Sequence, residues 1–87
     1  MPVVWIPSLL RELTKGERSL IVEGETVREV IENMESRYPG VKDRLCNGEQ
    51  LHPSISVVVD GHTGMLKLRQ RLHESSEVHF VIAMSGG

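Results

Sequence analysis

Thr26-Val27-Arg28-Glu29-Val30-Ile31-Glu32-Asn33-Met34-Glu35-Ser36-Arg37-Tyr38-Pro39-Gly40 is the stretch that decides the fold. Thr26 followed by Glu29 fits a capping box, in which hydroxyl and carboxylate reciprocally satisfy free amides at a helix start. Val27, Val30, Ile31, Met34 and Tyr38 then fall on one helical stripe. Pro39-Gly40 stops the helix, so it is expected to run from Val27 to about Tyr38. One amphipathic helix covers one face of a sheet and leaves the other open, which is an α+β two-layer arrangement.

The flanking segments supply the sheet. On the N-terminal side, Val3-Val4-Trp5-Ile6 is a short strand of β-branched and aromatic residues, ended by Pro7. Ser8 to Leu13 is expected to make a helical turn, stopped by Thr14-Lys15-Gly16. Ser19 to Glu23 alternates, with Leu20 and Val22 on one face, and completes a hairpin with a long connection. On the C-terminal side, Val41 to Cys46 adds a short turn with Val41 and Leu45 inward, and Asn47-Gly48 is a turn. Ile55 to Val59 is a strand followed by the turn signal Asp60-Gly61. Met65 to Leu68 is expected to be a short edge strand, and Leu72 to plug the core. Val78 to Met84 is the last strand, with Val78, Phe80, Ile82 and Met84 on one side and His79, Val81 and Ala83 on the other. The helix connection is long enough for a crossover between parallel strands.

Composition narrows the class. Eighty-seven residues with a formal net charge of -2 make one domain with mixed charges. No basic block marks a nucleic-acid footprint, and Trp5, Tyr38 and Phe80 are too few to stack a series of bases. Cys46 is the one cysteine, which rules out an internal disulfide and suits a reducing cytosol. The N-terminus lacks a basic region followed by a long apolar stretch, and no apolar run approaches the roughly 20 residues that span a bilayer. The chain reads as a cytoplasmic protein with neither nucleic acid nor membrane as partner.

An internal active site is hard to find. Cys46 and His52 lack a third group at a recognised spacing, and a lone cysteine is commonly an inert apolar residue. His52, His62, His73 and His79 show no metal-ligand spacing, so no metal site is expected. Gly61 and Gly64 are isolated turn glycines, and Glu23 and Glu25 flank a loop. Two features remain. Val81 and Ala83 are apolar on the side the helix cannot cover, joined by Trp5 if the first and last strands pair. They are either a partner site or singly exposed surface. The chain then ends in Met84-Ser85-Gly86-Gly87. That ending is either a frayed end or a narrow tether bearing a carboxylate that a partner enzyme must activate.

The element order, the Gly86-Gly87 terminus and two local stretches resemble one family, the MoaD/ThiS-type sulfur carriers, which are ubiquitin-like β-grasp proteins. The first stretch is Leu10-Arg11-Glu12-Leu13 followed by Gly16. The second runs from Leu72-His73-Glu74-Ser75-Ser76-Glu77-Val78-His79-Phe80 to Gly86-Gly87. Tyr38-Pro39-Gly40-Val41 to Leu45 is similar to the subgroup serving cysteine biosynthesis. Two departures stand out. Ser75-Ser76-Glu77 occupies the place of the family's Gly-Asp-Glu, and Ala83-Met84 the place of the prolines that precede the diglycine in molybdopterin-type members. The second departure argues against a molybdopterin synthase small subunit.

The resemblance implies a mixed sheet with one main helix on one face over residues 1–83, and a flexible diglycine tail over 84–87. It implies a protein co-substrate rather than an enzyme. An ATP-dependent adenylating enzyme of the ubiquitin-activating type would activate Gly87, with ATP used by that partner and no cofactor bound here. The resulting thiocarboxylate would pass sulfur to an accepting synthase. Gly86 and Gly87 would thread the partner's active site, while Val81, Ala83, Trp5, Met84 and Ser85 would contact it. The competing expectation is a ubiquitin-like modifier joined through Gly87 to target lysines.

Overall fold

The last strand lies in the interior of the sheet, and the first strand runs parallel beside it. The computed structural model of the chain describes residues 1–83. In chain order the elements are β1 (Val3–Trp5), a 3-10 turn (Ser8–Leu10), β2 (Ser19–Ile21), α1 (Val27–Arg37), α2 (Val41–Leu45), β3 (Cys46–Asn47), β4 (Gln50–Leu51), β5 (Ile55–Val59), β6 (His62–Thr63), a second 3-10 turn (Lys67–Arg69) and β7 (Glu77–Ile82). The main sheet has the order β2-β1-β7-β5-β6, and β3 and β4 form a separate two-stranded ribbon. β1 and β7 pair in parallel, Val4 opposite Val78 and Trp5 opposite His79. The other main-sheet pairs are antiparallel. This is the mixed β-grasp sheet that the family resemblance implies.

Period-two alternation assigns the faces. Val4, Leu20, Val57, Val78 and Phe80 are buried on the inner side. Val27, Val30, Ile31 and Met34 of α1 are at most 2% exposed against them, as their helical stripe predicts. Each fully buried aliphatic side chain contributes roughly 1.5–3 kcal/mol relative to exposure. Val41 and Leu45 of α2 are also fully buried. Tyr38, Leu72 and Ile82 are only partly buried against this core, so Ile82 seals its margin rather than filling its centre.

The helix ends show how local sequence sets the geometry. Thr26 Oγ1 accepts the Glu29 amide at 3.2 Å, which is half of the expected capping box. The other half is displaced by one residue: the Glu29 carboxylate accepts from Glu25 N at 3.3 Å, not from Thr26 N. At the far end Gly40 sits at φ +106, a left-handed conformation that glycine takes without a Cβ penalty. The Glu35 carboxylate bridges the break, accepting from Gly40 N at 3.1 Å and Lys42 N at 2.9 Å. It thereby caps the start of α2.

Several boundaries differ from the sequence reading. Met65–Leu68 is not an edge strand. Lys67 takes a left-handed φ of +51, and Arg69 N bonds Leu66 O at 2.9 Å, so the segment curls into a turn that buries Leu68. The edge strand is His62–Thr63, formed by the Asp60-Gly61 turn folding β6 back on β5. β1 ends at Trp5, although Ile6 N still bonds Arg18 O at 2.8 Å. β7 runs over Glu77–Ile82, and Ala83 follows it with its N–H bonded to Ser54 O at 2.8 Å, while Met84, the expected strand end, lies outside the described residues. The β3–β4 ribbon has too little alternation to read from sequence.

Candidate functional site

The parallel pairing of β1 with β7 brings the expected docking residues onto one surface. Trp5, Val81 and Ala83 all lie on the sheet face turned away from α1 and are exposed, Trp5 by 39% and Val81 by 51%. The register adds neighbours. Ser19 and His79 flank Trp5 across the adjacent strands, and Val58 lies beyond His79. Val81 faces Ser56. Ile21, 60% exposed, shares a row with Val3 and Glu77. The open face is therefore an apolar band of Ile21, Val3, Trp5, Val58, Val81 and Ala83 with Glu77 and His79 set into it. The earlier expectation omitted Ile21, Val3 and Val58. Ile21 was visible, since alternation that turns Leu20 and Val22 inward turns Ile21 outward. Val58 follows from the same parity in Ile55–Val59.

Trp5 is held rather than loose. Its ring lies parallel to the His79 imidazole, with centroids 5.7 Å apart and an interplanar angle of 9°. Its Nε1–H donates to Glu77 Oε1 at 3.0 Å. Part of the sheet edge at β2 is blunted: Arg37 of α1 donates to Ile21 O at 2.9 Å and Asn33 to Glu23 O at 2.7 Å, which occupies two main-chain acceptors that another strand could use.

A polar node fixes the start of β7. Asp60 Oδ1 accepts Glu77 N at 2.8 Å, and Asp60 Oδ2 accepts the Ser76 hydroxyl at 2.8 Å. Ser76 Oγ in turn accepts His73 N at 2.8 Å, and Asp60 N donates to Glu77 O at 2.9 Å. The two hydrogen bonds, first from the Glu77 amide and then from Ser76, hold the Asp60 carboxyl below the usual carboxylate range. Ser76 is 1% exposed. Sequence reading left Ser75-Ser76-Glu77 as a departure from Gly-Asp-Glu and Asp60 as a turn residue. The structure joins them: the carboxylate near this strand start comes from the neighbouring hairpin.

The candidate chemistry set aside earlier gains no support. Cys46 is half-buried, and burial pushes its thiol up, which leaves little thiolate at neutral pH. His52 Nδ1 is taken by Ser54, accepting its amide at 3.2 Å and lying 2.8 Å from its hydroxyl. Among the described residues, no group of three or more His, Cys, Asp or Glu side chains could hold a metal ion. No described helix is long and apolar enough to cross a membrane. Met84, Ser85, Gly86 and Gly87, all expected to meet a partner, lie outside the described residues.

Comparisons with known proteins bear on the family and the fold. The chain is 28% identical to the sulfur carrier protein CysO of Mycobacterium tuberculosis over 89 residues, covering 97% of this chain and 96% of that protein. A chain in the crystal structure of the Amycolatopsis orientalis BexX/CysO complex superposes with a TM-score of 0.94 at 35% identity, each chain covered in full. The small archaeal modifier protein 1 of Methanosarcina acetivorans superposes with a TM-score of 0.82 at 26% identity, covering 99% of this chain and 95% of that one. The sequence model of the ThiS family matches residues 4–87, and the chain belongs to that family.

Proposed function

We propose that the protein is a sulfur carrier whose Gly87 carboxylate is the working group. The observation that carries this reading is the end-to-end similarity to the sulfur carrier CysO, over 97% of this chain. The open face supports it, because an apolar band lies beside the strand that leads to the last four residues. In this reading the chain is a protein co-substrate, acting in the cytoplasm, and its partners do the bond making. An adenylating enzyme uses ATP: the Gly87 carboxylate oxygen attacks the α-phosphorus and pyrophosphate leaves. Hydrosulfide then attacks the acyl carbon and AMP leaves, which gives the thiocarboxylate. An accepting synthase takes the sulfur, and the carboxylate is restored by hydrolysis.

The roles on this chain are physical. Gly86 and Gly87 carry no side chain and pass a channel that a Cβ would block. Trp5, Val81 and Ala83 provide the desolvated contact, with Met84 and Ser85 entering the partner next. The Asp60–Ser76 node fixes β7 and therefore where those residues start. The acceptor pathway is of the cysteine, molybdopterin, thiamine or thiolated-tRNA type. The similarity to CysO favours the first, and Ala83-Met84 disfavours the second.

Intact mass after incubation with the cognate activating enzyme, ATP and a sulfur source tests the proposal. A gain equal to one sulfur-for-oxygen exchange supports it, and an unchanged mass with active enzyme refutes it. The similarity to small archaeal modifier protein 1 favours a second reading, a modifier joined through Gly87 to lysines. High-mass adducts of the chain in cell extract would select that reading.

A further inference from the structure

We infer that Trp5, Glu77 and His79 form a receptor for one arginine side chain of the protein that docks on the open face. The inference rests on the docking reading above and goes beyond it by naming the group received.

The argument starts from what Trp5 has left to offer. His79 stacks on the ring from the β7 side, 5.7 Å away and nearly parallel. The neighbour on the β2 side is Ser19, whose short side chain does not cover an indole. Among the described residues no second ring stacks on Trp5, which keeps 39% of its surface exposed. The indole N–H is already spent on Glu77 Oε1. A partner meets an electron-rich π face with no donor left to satisfy.

Glu77 completes the chemistry. Only Oε1 is engaged among the described residues, which leaves Oε2 as a further acceptor on an exposed side chain. Among the described residues no cation pairs with Glu77; the acids in ion pairs are Glu12, Glu32 and Glu49. An aromatic face with a carboxylate oxygen at its edge matches a guanidinium. Its plane stacks on the indole while an N–H along its rim donates to the oxygen. Lysine carries a compact point charge and cannot make both contacts in one plane. A carboxylate or phosphate would be repelled by Glu77. An apolar group would strip water from Glu77 and return nothing for it. Because the hydrogen bond and the stack already fix the ring, docking costs little side-chain freedom.

The test is calorimetric titration of the full chain with its activating enzyme. Glu77→Gln separates charge from position, since its amide oxygen still accepts the indole N–H. Emission of Trp5, the only tryptophan, should be unchanged in that free variant. Affinity should nevertheless fall about tenfold, the loss of one charge-assisted stacked contact. Trp5→Phe, which keeps a weaker π face, should lose less than Trp5→Ala. One arginine of the enzyme, changed to lysine, should show coupling to Glu77→Gln in a double-mutant cycle. Wild-type affinity in Glu77→Gln, beside a loss in Trp5→Ala, overturns the arginine receptor and leaves Trp5 as an apolar anchor. Val81→Asp separates the two levels. If it weakens binding while the Trp5 and Glu77 variants do not, only this inference falls. If none of the three weakens binding, the docking reading falls as well.

Discussion

Replacing Ser76 with alanine tests whether the Asp60 node holds the start of β7. The serine hydroxyl makes two bonds at 2.8 Å, one donated to Asp60 Oδ2 and one accepted from His73 N. Ser76 is 1% exposed, so neither bond is replaced by water at the serine itself. A net hydrogen bond contributes about 1 kcal/mol, and one to a charged group about 1.5–3 kcal/mol. Asp60 is exposed and its lost donor is replaced by solvent, which pulls the charged term toward the low end. The expected cost is therefore about 2 kcal/mol, or roughly 8–16 °C in melting temperature for a domain of this size. Urea unfolding monitored by Trp5 emission gives the value. The pH dependence carries a second signature. The Asp60 carboxyl is held below its usual 3.8 in the folded chain, so its contribution is complete above that value. It disappears as pH falls from about 4 through the folded-state pKa. Ser76→Ala should flatten that acid-side loss. A cost under about 0.5 kcal/mol with an unchanged acid limb would show that β7 starts where it does for other reasons.

Four further outcomes are expected. Ile31→Ala, at a side chain 2% exposed in the core, should cost about 2–5 kcal/mol in denaturant unfolding. Gly24→Ala should also destabilise, because an added Cβ would lie 2.7 Å from Val30 Cγ2 and 2.9 Å from Val30 N; an unchanged melt would show that the loop yields freely. Val81→Asp should weaken binding to the activating enzyme with little change in stability, since the side chain is 51% exposed in the free chain. Deleting Gly87, or Gly86→Val, should abolish ATP–pyrophosphate exchange with that enzyme, and wild-type exchange in both variants would remove the carrier reading.

Much of this was legible in the residues, for identifiable reasons. Helix α1 was readable because its stripe and its Thr26 cap are local signals that tertiary packing reinforces. The outward parity of Trp5 and Val81 was readable because strand alternation is strict once one face is buried. Met65–Leu68 misled because four residues of mixed polarity fit a strand or a turn equally well. What decided it was the left-handed Lys67 and the burial of Leu68 against elements distant in sequence. The Asp60–Ser76–Glu77 node was invisible for a related reason. Its members are a turn residue and a loop 16 residues apart, and no periodicity links them until β5 pairs with β7. The stack of Trp5 on His79 depends likewise on register, which hydrophobic pattern alone does not supply.

The position of β7 has a consequence for how the protein is made. It is the last strand of the described chain, yet it lies between β1 and β5 and completes the sheet's hydrogen bonding. During synthesis, at roughly 5–20 residues per second, β1 and β2 emerge first, but β1 has no parallel partner until β7 leaves the ribosome. The contacts that close the domain span more than seventy residues, from Val3 to Glu77, so closure is slow to nucleate. A chain released early lacks the strand that completes the sheet and remains open to proteolysis. A partner that recognises the finished sheet face would meet only chains that have been translated through β7.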